Sequence, residues 1–145
     1  MLLSPIGRSL AELDSPALLI DLDALERNVA RMAEHFQSRG VGWRPHAKAF
    51  KSPAIANLLR RAGALGVTVA KVSEAEVMAA GGIHDILIAH LVVGSAKADR
   101  LAALQRHADV KATVDNEAQI PYLARAAAKA GVTISILVDV DLGMG

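Results

Sequence analysis

Hydrophobic and polar positions along the chain alternate between two rhythms. Leu22, Leu25, Val29, Met32 and Phe36 recur at spacings of three and four, the apolar face of a helix that Gly40 ends. Asp21 or Asp23 caps it, with Glu26 three after Asp23 as in a capping box. Before it, PALLIDL (16–22) is a short apolar run that predicts a buried strand. After it, Val41 to about Lys48 predicts a second strand. Ser52 with Pro53 opens a helix carrying Ile55, Leu58 and Leu59 and stopping near Gly63.

The same alternation then repeats. GVTVAKV (66–72) is β-branched and strand-like, and Ser73 with Glu76 predicts a capping box for a helix ending at Gly81–Gly82. DILIAHLVV (85–93) predicts a strand, and a helix follows from Ser95 to about His107. DVKATV (109–114) predicts a strand, Asp115 or Asn116 a cap, and the helix to Ala130 closes at Gly131. TISILVDVD (133–141) is the last predicted strand, and LGMG its exit loop.

Predicted strands beginning near 41, 67, 86, 110 and 133 have the spacing of βαβ units. Parallel strands joined by helices give an α/β fold, either an open doubly wound sheet or part of a (β/α)8 barrel. No G-x-G-x-x-G follows the first strand, which removes the best support for a dinucleotide-binding sheet.

Composition narrows the class. The 145 residues suit one domain, and 52% hydrophobic residues are enough for a core and too many for disorder. A net charge of +1 gives no global field for nucleic acid or an anionic membrane. The absence of cysteine excludes disulfides and thiolate metal sites and fits a reducing compartment. MLLSPIGRSL lacks the basic start and long apolar run of a signal peptide, and no stretch has the length of a membrane span. A cytoplasmic location is expected.

In either architecture ligands bind beyond the carboxyl ends of the strands, so the last polar residues of each strand matter most. In RPHAKAFKSP (44–53) strand alternation places Arg44, His46 and Lys48 on one face and Trp43, Pro45 and Ala47 on the other. Lys71, His90, Asp139 and Asp141 stand at other strand ends. A buried lysine with a cation such as Arg44 or His46 beside it becomes a nucleophilic amine, the preparation for a Schiff base with an aldehyde. Each candidate also has an ordinary reading. Lys48 and Lys51 can be solvated residues of a strand-to-helix turn, Lys71 an exposed lysine, His46 and His90 satisfied histidines, and the aspartates hydrogen-bonded loop ends.

SPALLIDLDALERNVARM, WRPHAKAFKSPAIA, GVTVAKVSEAEVMAAGGIHDILIAHLVVGSAK and VDVDLGMG together resemble the N-terminal part of the D-threonine aldolase and D-serine dehydratase group. These are pyridoxal-phosphate enzymes related to alanine racemase, and the resemblance runs from about Ser15 to Gly145. R-P-H-x-K is its most specific segment, and it implies that Lys48 forms the Schiff base with the cofactor. His46 is the second catalytic candidate, and Arg44, His90 and Asp141 are expected cofactor contacts. The implied fold is a partial (β/α)8 TIM barrel of the alanine-racemase N-terminal type, cut after five or six strands. Residues 1–15 would be an extension and 16–145 the barrel portion. The implied reaction is lyase chemistry on a D-β-hydroxy amino acid, by retro-aldol cleavage or elimination. Alternatives are an amino-acid racemase on the same scaffold and a non-catalytic cofactor-binding protein. An unrelated phosphate-binding barrel would be favoured if Lys48 faced the helices.

Three positions depart from the group's pattern. Phe50 replaces a second histidine, Ala70 stands where a glutamine is usual, and His90–Leu91 stand where Asn-Glu is usual. Length departs most. A full barrel takes about 250 residues, and the group continues into later barrel strands with phosphate-binding glycine loops and then a β domain. In metal-dependent members that β domain holds a divalent metal; no metal ligand set is expected within these residues. The chain is therefore expected to be a fragment, unstable and inactive in isolation, of a parent that forms a homodimer.

Overall fold

The structure is a computed structural model that describes residues 5–143. The predicted exit-loop residues Met144 and Gly145, and Met1 to Ser4, lie outside the described residues. The helices are α1 (Leu22–Gln37), α2 (Pro53–Arg61), α3 (Val72–Ala80), α4 (Ser95–Leu104) and α5 (Ile120–Ala130). The strands are β1 (Val67–Val69), β2 (Asp85–Ile88), β3 (Asp109–Val114) and β4 (Ile136–Val138). A short 3-10 turn at Leu10–Glu12 precedes α1, and a second at Glu117–Gln119 leads into α5.

The strands form one parallel sheet in the order β1-β2-β3-β4. Spatial order therefore copies sequence order. A doubly wound sheet reverses direction at a switch point, whereas a barrel adds each strand beside the last. The sheet is an arc of a (β/α) barrel, as the strand spacing predicts. It extends one step beyond β1: His46 bridges Thr68, and the Ala47 N–H donates to the Thr68 carbonyl at 2.7 Å. Thr68 N–H in turn donates to the Pro45 carbonyl at 2.9 Å. Residues 43–47 thus run beside β1 as a fifth, barely regular strand, shorter than the 41–48 expected.

The core lies between the sheet and its helices. Val67, Val69, Ile86, Ile88, Val110 and Ala112 alternate along three strands and are wholly buried. They pack against Met78, Ala98, Leu101 and Leu123 from α3, α4 and α5. The opposite face carries Thr68, Asp85, Leu87, Lys111 and Thr113 and is only half-buried. A second, smaller cluster joins Val29 of α1 and Leu59 of α2 with Trp43, whose ring stacks on Phe36 at 5.6 Å between centroids. Phe50 touches both clusters. Beside the smaller cluster is an apolar groove of about 550 Å³, lined among others by Leu25, Met32, Phe36 and Trp43.

Several local expectations are corrected. Residues 16–20 form no strand; Leu18, Leu19 and Ile20 are exposed, because no strand lies beside them among the described residues. The α1 cap is Asp21, whose carboxylate accepts from the Ala24 N–H, and Asp23 is already inside the helix. Helix α3 begins at Val72 with Lys71 as its cap, so Ser73 and Glu76 form no capping box; Glu76 is drawn to Arg100 of α4 instead. β2 stops at Ile88 and β4 spans only Ile136–Val138, both shorter than their apolar runs, because regular pairing ends where a neighbour ends. Helix α4 ends at Leu104, before His107. Ser52 with Pro53, β3 and left-handed Gly131 occur as read. No helix among the described residues is long and apolar enough to cross a membrane.

Candidate active site

The carboxyl ends of the strands gather Lys48, Lys71 and His90 at one end of the sheet. Lys48 follows the 43–47 segment, where Trp43 and Ala47 are buried, Arg44 and His46 half-buried, and Lys48 exposed. The predicted alternation therefore holds: Lys48 does not face the helices. A tight turn carries it. The Phe50 and Lys51 N–H groups both donate to the Ala47 carbonyl, at 3.2 and 2.8 Å. Lys51 adopts a left-handed φ of 48° to close that turn before Ser52 caps α2. This conformation is uncommon for a residue with a β-carbon and must be held by contacts.

Glu74 supplies the hold. Its carboxylate accepts from the Lys51 ammonium at 2.8 Å and from the Ala70 N–H at 2.8 Å. One side chain in the first turn of α3 thereby ties the Lys48 turn to the end of β1. The hydrogen bond from Lys51 outweighs the effect of burial and keeps Glu74 below its ordinary carboxylate range. Sequence reading missed Glu74, since its partner lies 23 residues away. The only signal was an acid in the first turn of a helix beside Lys71.

His46 accepts a hydrogen bond at Nδ1 from the Lys48 N–H at 3.2 Å. Burial, reinforced by the charge of Lys48, holds its imidazole below its ordinary value, while Glu74 and the Thr68 backbone pull the other way. A neutral His46 thus stands beside Lys48. The side chain of Lys48 has no hydrogen-bond or ion-pair partner among the described residues. The expected desolvation of Lys48 is not found, because the inner face of the arc is open to water.

Arg44 does not adjoin Lys48. It lies at the amino end of its segment and grips Asp85 with two hydrogen bonds of 2.8 and 2.9 Å. Lys111 joins through Asp85 at 2.9 Å and Asp109 at 2.6 Å. Burial opposes the charge on Asp85, but Arg44 and Lys111 prevail and its carboxyl is held low. Lys111 is correspondingly held high by Asp109 and Asp85 against the opposing effect of burial. Gly66 makes this cluster possible: a β-carbon there would collide with the Asp85 carbonyl and lie 2.7 Å from the Arg44 guanidinium. Arg44 is thus brought together with Asp85 and not with the lysine it was expected to tune.

The remaining candidates are dispersed along the rim. Lys71 and His90 face a small cavity between α3 and α4. Asp139 is exposed, with its N–H donated to the Val114 carbonyl at 2.8 Å. Asp141 accepts from the Gly143 N–H at 2.8 Å beyond β4. No three histidine, aspartate or glutamate side chains converge on a common point among the described residues.

Lys48, His46 and Glu74 lie together at the turn that follows the 43–47 segment. An accessible amine is free of carboxylate pairing, its flanking imidazole is uncharged, and the neighbouring acid is already engaged by Lys51 and Ala70. The chain is 42% identical to a D-threonine aldolase of Arthrobacter sp. over 139 residues, covering 96% of this chain and 37% of that one. It is 41% identical to a 3-hydroxy-D-aspartate aldolase of Paracoccus denitrificans over 141 residues, with 96% and 36% covered. Among solved structures, D-threonine aldolase from Filomicrobium marinum superposes with a TM-score of 0.89 at 48% identity, over 92% of this chain and 36% of that one. D-threo-3-hydroxyaspartate dehydratase from Delftia sp. HT23 gives 0.77 at 37% identity, over 92% and 37%. The chain spans about a third of the length of these relatives. Residues 20–145 match the family described as alanine racemase, N-terminal domain, and the chain belongs to that family.

Proposed function

We propose that this chain carries the cofactor-binding lysine of a pyridoxal-phosphate lyase acting on small D-β-hydroxy amino acids, by retro-aldol cleavage or by loss of water. The observation behind this reading is Lys48: exposed at the carboxyl end of the arc, unpaired, and flanked by an imidazole of lowered basicity. Relatives named as an aldolase and a dehydratase support both reactions.

Lys48 would hold the cofactor through Nζ, and His90 and Asp141 stand on the rim as its candidate contacts. The cofactor, when bound, supplies an electron sink at the substrate α-carbon. His46 fixes the Lys48 backbone by accepting its N–H and, being neutral, adds no second positive charge beside the amine. Glu74 holds the turn in register with β1 through Lys51 and Ala70. Arg44 stabilises the amino ends of the strands through Asp85. A homodimer in the cytoplasm, and a divalent metal held by residues outside this chain, belong to the same proposal.

Borohydride reduction of the cofactor-loaded protein, followed by peptide mapping, is expected to fix the cofactor on Lys48. Attachment at Lys51 or Lys71 would overturn the assignment. Incubation with D-threonine and D-3-hydroxyaspartate separates the reactions: glycine with an aldehyde marks retro-aldol cleavage, and a keto acid with ammonia marks elimination. The opposite enantiomer of an added amino acid as sole product would replace the lyase reading with a racemase.

A further inference from the structure

Two amines leave the same turn. Lys48 and Lys51 are three residues apart, and the Phe50 and Lys51 N–H groups share the Ala47 carbonyl. The turn therefore brings both lysines to the carboxyl end of the 43–47 segment. Either could condense with an aldehyde. The nitrogen lone pair would form the C–N bond, and the carbonyl oxygen would leave as water with the two protons of the amine. Both side chains are open to that approach: Lys48 is exposed, and the side chain of Lys51 is 62% exposed. Access from solvent does not decide between them.

The difference is in what each amine is bound to. The side chain of Lys48 makes no hydrogen bond or ion pair among the described residues. Lys51 donates to one oxygen of the Glu74 carboxylate at 2.8 Å, and the other oxygen accepts from the Ala70 N–H. The Glu74 side chain is only 13% exposed, so little water is at hand to replace a lost cation. Lys51 and Glu74 also share a small cavity of about 140 Å³ with Ala47, Val77 and Met78. Ala47 and Met78 belong to the core between sheet and helices. Glu74 thus draws Lys51 toward that side, while Lys48 stays on the polar face with His46.

We infer that Glu74 decides which of the two amines takes the aldehyde cofactor: it sequesters Lys51 and leaves Lys48 as the reactive one. The inference rests on the reading of Lys48 as the cofactor lysine, and it makes Glu74 a positioning residue that acts through Lys51. For Lys51 to react, its nitrogen must leave Glu74 and strand a largely buried carboxylate; Lys48 has no such contact to break. Glu74 also feels the charge of Lys71 but hydrogen-bonds only Lys51 and the Ala70 amide, so the selection acts on Lys51.

Reductive alkylation with dilute formaldehyde and cyanoborohydride, read lysine by lysine by mass spectrometry, tests this in the full-length protein without cofactor or turnover. Glu74→Gln should raise the rate at Lys51 about two- to fivefold, the range an exposed ion pair can hold back, and leave Lys48 and the distant Lys129 unchanged. Lys51→Arg keeps the ion pair and removes the competing amine, so Lys48 should react at the parent rate. Borohydride trapping with pyridoxal phosphate should then place label on Lys48 alone in the parent and a new labelled fraction on Lys51 in Glu74→Gln. A Lys51 rate unmoved by Glu74→Gln would overturn the inference. So would loss of Lys48 label in Glu74→Gln with none appearing on Lys51, because Glu74 would then only hold the turn. Those two outcomes leave the lyase reading standing. Label on Lys51 already in the parent would overturn the Lys48 assignment and this inference with it.

Discussion

The two ends of the sheet carry similar charges and treat them in opposite ways. At the amino ends Arg44, Asp85, Lys111 and Asp109 form a closed cluster in which each charge has a partner. At the carboxyl ends the side chains of Lys48, Lys71 and Lys97 make no hydrogen bond or ion pair among the described residues, and the carboxylate of Glu74, which feels the charge of Lys71, is bonded to Lys51 and the Ala70 amide. Pairing makes the first end rigid and chemically inert. Leaving amines unpaired makes the second end available to ligands at a cost in repulsion. In a barrel this division of labour is general: the amino face stabilises and the carboxyl face reacts.

The largest expected effect is at the reactive end. Lys48→Ala should lower turnover by about a thousandfold or more while leaving the melting temperature nearly unchanged, since the side chain is exposed and unpartnered. A steady-state assay beside a thermal melt would check both halves. Activity within tenfold of the parent would break the contrast between the ends.

At the paired end the reverse is expected. Gly66→Ala should destabilise by about 3 kcal/mol, because the new methyl meets the rigid Asp85 carbonyl and the Arg44 guanidinium. Denaturant unfolding should show the midpoint falling. Asp85→Asn should cost about 2 kcal/mol by leaving Arg44 and Lys111 half-buried without their shared anion. It should also change the acid limb of stability. The Asp85 carboxyl is lowered in the folded protein, so its contribution is present above the unfolded aspartate value and is lost as pH falls through the folded one. The variant should therefore lose less stability than the parent on acidification. Parallel pH profiles would show that the cluster does no such work.

The smallest effect lies between the ends. Glu74→Gln keeps an acceptor for the Ala70 N–H but loses the charge that holds Lys51, an exposed partner, so stability should fall by only about 0.5 kcal/mol. Its signature is electrostatic. Glu74 raises the basicity of His46, so His46 should titrate lower still in the variant, followed by NMR. An unmoved His46 would detach Glu74 from the reactive end.

Much of this contrast was legible in the sequence. Period-two burial in β3 and the Ser52–Pro53 start of α2 are local signals, and local physics fixed them. The alternation Trp43, Arg44, Pro45, His46, Ala47, Lys48 correctly divided the buried face from the polar one. It could not show that Arg44 and Lys48 lie at opposite ends of that polar face, committed to different partners. In the sequence Asp85 and Lys111 are simply residues of two strands, because their meeting depends on the register of β2 and β3. PALLIDL failed for the converse reason: its composition favours a strand, but pairing needs a neighbour that composition cannot supply.

The order β1-β2-β3-β4 has a consequence for how the molecule is made. Each strand docks on the one synthesised just before it, so every loop to be closed is short and no strand waits for a distant partner. A chain leaving the ribosome can therefore add one strand–helix unit at a time to a surface that already exists. The growing rim at each moment is the newest strand, and in this structure that strand is β4, whose Ile136, Leu137 and Val138 still stand open to solvent.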